Sequence, residues 1–258
     1  TCANTSNVNR DTLPGSGIMY AHNNSGITFT ELGNLGNIPP QGSLLLWFNA
    51  ASLKEKAFVF SSSHFRDTVG GYRGIALFSR ADGRMQMTFG TDTSVAGYQD
   101  TVTVLNDFTA GRWYHLALTW DTVAKTYTVY VNGIQTASGT TSFWPLQFES
   151  FKAGIGYKAS AAYTWYGNID EISEWNTILS QAEIRDQLAG KIKSTQSNWG
   201  NLLHYYRFDN NFNNSVLFPV VNDFKGTAHG MVFQQQSFTG WYPMPTSSAP
   251  IGSYSSYQ

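Results

Sequence analysis

Tyr157-Lys158-Ala159-Ser160-Ala161-Ala162-Tyr163-Thr164-Trp165-Tyr166 is the stretch whose residue types point most directly to a chemistry. Flat rings match the apolar C–H surface of a sugar, and the amine and hydroxyl groups between them suit its hydroxyls. Tyr157, Tyr163, Trp165 and Tyr166 are therefore candidate ligand-binding residues, on the kind of loop that displays such groups from a rigid scaffold. A second stretch, His64-Phe65-Arg66-Asp67-Thr68-Val69-Gly70-Gly71-Tyr72-Arg73, is polar and cationic and is expected to face the first. Arg66 and Arg73 suit an acidic sugar or another carboxylate, which a guanidinium holds through two parallel hydrogen bonds, and Tyr72 adds a ring. A second reading stays open at this stage: Tyr and Trp also pack over a sheet edge with one end wet. Phe143 and Trp144, beside Pro145, carry the same two readings.

Paired carboxylates would be the mark of a sugar-cleaving site. Glu171 and Glu174 invite that reading, but residues three apart on a strand point to opposite faces, which splits the pair. The five histidines, at 22, 64, 115, 204 and 229, follow no metal or catalytic spacing. His115 alternates within an apolar strand and reads as packed. No catalytic residue is assigned, and the chain is not expected to be an enzyme.

The elements that must position these loops are strands. Of 258 residues, 16 are basic and 17 acidic, a formal charge of −1. Charged residues make up 13 %, about half the usual share of roughly 25 %. With 15 % aromatics and 24 glycines, this favours strands and turns over solvent-facing helices, so the fold class is all-β. Without a Lys/Arg cluster the chain offers no field for phosphates, and nucleic acid is not an expected partner. The longest apolar run, Leu44-Leu45-Leu46-Trp47-Phe48, is far too short to span a bilayer, so membrane insertion is not expected. One cysteine, Cys2, rules out an internal disulfide framework.

Three hairpins are legible. Ile75–Arg80 and Met85–Phe89 flank Asp82-Gly83; Trp113–Trp120 and Tyr127–Val131 flank a loop at 121–125; Asn132-Gly133 then turns the chain into Ile134-Gln135-Thr136. In the Trp113–Trp120 run, Tyr114, Leu116, Leu118 and Trp120 share one face. A single short helix is expected near 181–189, with Ser180 and Glu183 as a capping box, Leu179 and Ile184 as a hydrophobic staple, and Gly190 as its stop. Residues 1–16 read as a linker or N-terminal arm and 246–258 as a C-terminal tail, leaving 17–245 as a single domain.

The order of these pieces is informative. Gly111-Arg112-Trp113-Tyr114-His115-Leu116-Ala117-Leu118-Thr119-Trp120-Asp121, then Tyr130-Val131-Asn132-Gly133, then Gly167-Asn168-Ile169-Asp170-Glu171-Ile172 and Ile178-Leu179-Ser180, preceded by Leu44-Leu45-Leu46-Trp47-Phe48, resembles the laminin G-like, concanavalin A-like lectin family over roughly residues 27–190. That resemblance implies a two-sheet antiparallel jelly-roll sandwich. Leu202–Asp209 followed by Val221–Val232 is similar to the family's opening motif, which normally precedes the body. Either it begins a further repeat, or residues 202–233 complete the sandwich as a permuted strand pair beside 27–32; the second is favoured because no second body follows. Phe151–Lys158 is similar to a strand of alginate-type polysaccharide lyases, but the arginine-rich and Gln-Ile-His strands of those enzymes are absent.

The resemblance also implies one structural Ca2+ at the sandwich rim, for which Asp170, Asp223 and Asp209 are the candidate ligands; calcium needs six to eight oxygens. The alternative is that Asp170 and Asp223 shape turns. Taken together, these readings imply a non-catalytic surface recognition module, extracellular or on a cell surface, binding carbohydrate for adhesion. Its partner would be a glycan or surface protein of another cell. The alternative is a protein-interaction or trimerising tip domain of a fibrous adhesin, homo-oligomeric through a longer parent chain.

Overall fold

The structure, a computed structural model, describes residues 18–20, 27–32, 34–62, 74–90, 99–145, 147–148, 151–154, 164–208 and 220–235. Two antiparallel sheets face each other. The first contains β1 (Ile18–Tyr20), β3 (Gln41–Ala50), β8 (Trp113–Asp121), β9 (Thr126–Val131), β10 (Ile134–Thr140), β12 (Gly167–Trp175) and β13 (Leu202–Tyr206), in the order β1-β12-β3-β8-β9-β10, with β13 also on β12. The second contains β2 (Ile27–Glu31), β4 (Ala57–Ser61), β5 (Gly74–Ser79), β6 (Met85–Gly90), β7 (Gln99–Leu105), β11 (Lys152–Ala153), β14 (Val220–Val221) and β15 (Gly230–Gln235), in the order β14-β15-β2-β11-β4-β5-β6-β7. This is the concanavalin A-like jelly-roll sandwich.

Alternation along the strands sorts the core. Leu44, Leu46 and Phe48 on β3, with Tyr114, Leu116, Leu118 and Trp120 on β8, point between the sheets and meet Ile75, Leu77, Met87 and Phe89 from the other side. Each such side chain removed from water contributes about 1.5–3 kcal/mol. The expected turns form for the expected reason: Asn132 and Gly133 both take positive φ, 50° and 72°, which matches the right-handed strand twist. In the Ala81–Arg84 turn only Gly83 does, at 84°.

The odd-numbered residues of β3 face outward, and a helix covers those at its middle, Leu45 and Trp47. Leu45 and Ala117 pack with Trp175, Leu179, Ile184, Leu202 and Tyr205 to form a second, smaller core under α1 (Gln181–Ala189). Its capping box is complete: Ser180 N–H donates to Glu183 Oε2 at 2.8 Å, and Glu183 N–H to Ser180 Oγ at 3.3 Å. Leu179 and Ile184 share that core, as a staple requires. Gly190 follows the helix in an extended conformation, φ −171°, rather than as a left-handed cap. Any residue could adopt that backbone, so the glycine is not what ends the helix.

After α1 the chain supplies both sheets. β13 pairs with β12, and β15 lies antiparallel to β2, from Met231 opposite Glu31 to Gln235 opposite Ile27. Tyr206 donates its hydroxyl to the Ala228 carbonyl at 2.6 Å, tying the two returns together. No described helix is long and apolar enough to cross a membrane.

Candidate functional site

The aromatic loop is anchored by its own C-terminal end. Trp165 N–H donates to the Gly154 carbonyl at 2.9 Å, which brings Gly154 and Trp165 side by side. On one flank Gly154 N–H donates to Val59 on β4; on the other, Ala51 N–H donates to Tyr166. The Trp165 indole lies in the core against Phe48 and Phe108, with ring centroids 6.0 Å away in each case, and its Nε1–H donates to the Asn49 carbonyl at 3.2 Å. It is 1 % exposed. Trp165, read from the sequence as a sugar-stacking ring, is therefore an anchor: its fused rings fill a space between the sheets that no smaller side chain would fill. Tyr166, next to it, is half-buried and reaches the surface. Tyr157 and Tyr163 lie outside the described residues, as do Arg66, Tyr72, Arg73 and Asp209.

Backbone spacing at Gly167 is equally tight. A Cβ there would lie 1.9 Å from the Asn49 carbonyl oxygen and 2.8 Å from Ala50 Cα. Only glycine lets β12 begin this close to β3, and so lets Tyr166 sit at the sandwich rim.

The second expected loop has a different origin. The described chain stops at Ser62, just past β4, and resumes at Gly74; Ser62 bonds both backbone groups of Ile75. On the aromatic side, Gly154 bonds Val59 and Thr164 bridges Phe58. From Phe58 to Ser62 is four residues, about 13 Å along a strand. The described residues that flank the two stretches thus lie at opposite ends of one strand; the stretches themselves, and with them the expectation that they face each other, lie outside the described residues.

The carboxylates are divided among three settings. A bulge in β12 between Asp170 and Ser173, with Glu171 at φ 52°, places Asp170 and Glu171 together on the outer face. Asp170 is fully buried, and its Oδ1 accepts the Glu171 N–H at 2.9 Å. Glu171 accepts the Tyr205 hydroxyl, and Lys191 Nζ lies 3.7 Å from its other oxygen. Burial, reinforced by that carboxylate, pushes the Tyr205 phenol well above its usual range. Trp47, His115, Ser173 and Gln187 complete the pocket beneath α1, and burial lowers His115 to about 3, so the ring is neutral.

Glu174 points the other way, between the sheets, opposite Leu44 and His204. It is 1 % exposed and neither carboxylate oxygen has a hydrogen-bond partner. Burial pushes it up to about 8, opposed by His204 and reinforced by Asp223. Beside it, His204 Nδ1 and Asp223 Oδ2 are 2.6 Å apart. Burial alone would lower His204, but its bond to Asp223 and the Glu174 carboxylate outweigh this and hold it above its ordinary value.

Asp223 is the hub of the return to β15. Its Oδ1 accepts the N–H groups of Tyr205, Lys225 and Gly226, at 3.0, 3.1 and 2.9 Å, and its Oδ2 accepts Ala228 N–H at 3.3 Å besides His204. Burial would raise it; the His204 bond and these backbone donors overcome that and bring it to about 2. Asp223 and Asp170 do not fit the implied Ca2+. A cation needs oxygen lone pairs, and those of Asp223 already meet N–H groups whose partial positive charge would repel it. Asp170 is sealed on the outer face of β12, and no metal-binding group of three acidic, His or Cys side chains occurs among the described residues. The turn-shaping alternative describes Asp223. Sequence spacing could not reveal the His204–Asp223–Glu174 set, since three segments bring it together. The one trace was Asp223 three residues before Gly226, an Asx-turn pattern.

A sandwich of lectin topology with a clasped rim loop defines a class, and comparison with known proteins agrees. The family model of the concanavalin A-like lectin/glucanases superfamily matches residues 22–185, more than half of the chain, which therefore belongs to that superfamily. No curated protein sequence matches it. Among solved structures, a Bacteroides ovatus protein classed as carbohydrate binding is similar at a TM-score of 0.59 and 14 % identity, over 91 % of this chain and 62 % of that one. This chain thus spans less than two thirds of that protein. The SAP-like heptameric pentraxin of Limulus polyphemus (TM-score 0.50, 14 % identity, 69 % of this chain and 83 % of that one) shares the fold. So does the CBM40 of the Ruminococcus gnavus IT-sialidase, solved with α2,3-sialyllactose (TM-score 0.50, 15 % identity, 68 % and 97 %). At these identities the likeness is one of fold.

Proposed function

We propose that this chain is a non-catalytic carbohydrate-recognition module, secreted or displayed at a cell surface, that serves adhesion through the loop between Gly154 and Trp165. The observation that carries this reading is the clasp: Trp165 N–H on the Gly154 carbonyl, with the indole locked in the core. A side chain held on a fixed backbone loses little freedom on binding, so the Tyr166 ring beside that clasp contributes more of its contact energy to affinity. Tyr157, Tyr163 and Tyr166 are the side chains assigned to the ligand. The non-catalytic part rests on the carboxylates. Glu171 and Glu174 lie on opposite faces of one sheet, and Asp223 is committed to N–H donors, so no two are aligned across a common cleft. Carbohydrate is favoured by the superfamily and by a fold relative, the CBM40, solved with a bound saccharide.

The test is binding of the whole chain to a broad immobilised glycan panel, with calcium and with chelator, beside Tyr163→Ala and Tyr166→Ala. Selective binding that survives chelator and falls at least tenfold in either variant is expected. Silence across the panel, at densities where avidity rescues weak contacts, would overturn the carbohydrate reading in favour of a protein-contact role. Binding abolished by chelator would restore a metal to the site.

A further inference from the structure

At the end of β3 opposite Gly167 and Tyr166 the sandwich holds a cleft. It is an open depression of about 600 Å3, lined by Pro39, Pro40, Gln41, Asp121, Val123 and Asn176. That is within the range of about 300–1,000 Å3 typical of small-molecule sites. Its walls are fixed from behind. The buried Trp120 indole donates to the Pro39 carbonyl at 2.9 Å, and Thr122 N–H to the Pro40 carbonyl at 2.7 Å. The side chain of Asp121 is held three ways, by the N–H groups of Val123 and Ala124 at 2.9 and 2.7 Å and by Gln41 Nε2 at 2.7 Å. Asn201 Nδ2 in turn donates to Asn176 Oδ1 at 3.0 Å, and Asn176 N–H to the Asn201 carbonyl at 2.9 Å.

These bonds determine what is left over. Asp121 takes the Gln41 amine side, so the Gln41 carbonyl oxygen is free to accept; Asn201 takes the Asn176 oxygen, so the Asn176 amine is free to donate. Two proline rings and the 80 % exposed Val123 supply an apolar wall. A carboxylate, one amide acceptor, one amide donor and a rigid apolar face, with no cation among the lining residues, match a ligand rich in hydroxyls and without charge. An anionic ligand would meet Asp121, whose bonds to Gln41 and Ala124 keep it ionised below the usual carboxylate range.

From this lining we infer that the cleft between Pro39–Gln41, Asp121–Val123 and Asn176 is a second binding site, specific for a neutral, hydroxyl-rich ligand such as an uncharged saccharide unit. It lies at the other end of β3 from Tyr166 and stands or falls independently of the reading of that residue.

The experiment follows the side-chain amide signals of Gln41 and Asn176 by nuclear magnetic resonance in the whole chain. Methyl mannoside, methyl galactoside and arabinose are titrated to tens of millimolar, with N-acetylneuraminic acid as the charged comparison. A neutral sugar should shift both amides, and the acid should not. Asn176→Ala should weaken that binding at least tenfold. Val123→Trp, at an exposed position that folding does not use, should fill the cleft and abolish it, while Tyr166→Ala should leave it unchanged. No shift at either amide with any neutral sugar, or equal shifts with the acid, would overturn the inference. Shifts confined to the surroundings of Tyr166 would also overturn it, while leaving the aromatic-loop reading intact.

Discussion

Replacing Glu174 by glutamine should stabilise the protein in alkaline solution and do little in acid. The carboxyl is 1 % exposed between the sheets, without a hydrogen-bond partner on either oxygen, and burial raises it from 4.5 to about 8. In the unfolded chain the same group is ionised above about 4.3. Between those values the folded state keeps a proton that the unfolded state has lost, so stability is greatest below pH 4.5 and falls as pH rises toward 8. At 1.36 kcal/mol per pH unit in this window, the group costs about 4 kcal/mol between pH 5 and pH 9. For a domain of this size that is roughly 8–16 °C in Tm. His204 and Asp223 face Glu174, and His204, also raised, loses its stabilising proton in the same direction. The informative quantity is therefore the difference between parent and Glu174→Gln, taken by urea unfolding at intervals from pH 5 to pH 9. At pH 5, where both side chains are neutral, the two should agree within about 1 kcal/mol; by pH 9 the variant should lead by about 3–4 kcal/mol. A difference that stays constant across the range, or a variant less stable than the parent at pH 9, would refute the assignment of a buried, unpaired carboxyl.

Five further outcomes follow from the geometry. Asp223→Ala strips five N–H groups of their acceptor and should cost about 3–5 kcal/mol in chemical denaturation, because those donors are left buried without a partner and His204 loses the bond that holds its proton. In the parent, the Asp223 contribution should fade as pH falls from about 4 to about 2, since its folded value lies below its unfolded one; acid titration of stability checks this. Gly167→Ala forces a methyl into the Asn49 carbonyl and should lower stability by about 3 kcal/mol or prevent soluble expression, whereas Gly190→Ala, with open space around it, should not. Trp165→Ala should cost about 3–5 kcal/mol as a core truncation, while Tyr166→Ala should leave the melting temperature nearly unchanged and reduce glycan binding, which separates anchor from contact. Ser180→Ala should remove about 1 kcal/mol through loss of the helix cap, read by the same unfolding assay.

Local features were legible because their causes are local. Asn132-Gly133 turns the chain since both residues tolerate positive φ, and Ser180 with Glu183 caps α1 since the two side chains reach each other's backbone. Alternation from Tyr114 to Trp120 identified a core face because the strand period is two. The same period separated Glu171 from Glu174, although the bulge at Glu171 is what puts Asp170 and Glu171 on one side, and no residue type announces it. Trp165 shows the limit. A tryptophan amid tyrosines looks alike in sequence whether it stacks on a sugar or fills a core, and only the partners, Phe48, Phe108 and the Asn49 carbonyl, distinguish the two.

What the chain's sequence alone settled was therefore its class: few charges, many rings and glycines, and hairpin signals in a recognisable order require an all-β sandwich, because strand period and turn stereochemistry act over a few residues. What tertiary structure decided was the fate of its charged groups. Asp223 became a backbone hub, Glu174 a buried acid beside His204, and Asp121 the carboxylate of a cleft, in each case through segments far apart in the chain. The energy of a carboxylate depends on which donors, charges and water surround it, and folding is what assembles that surrounding.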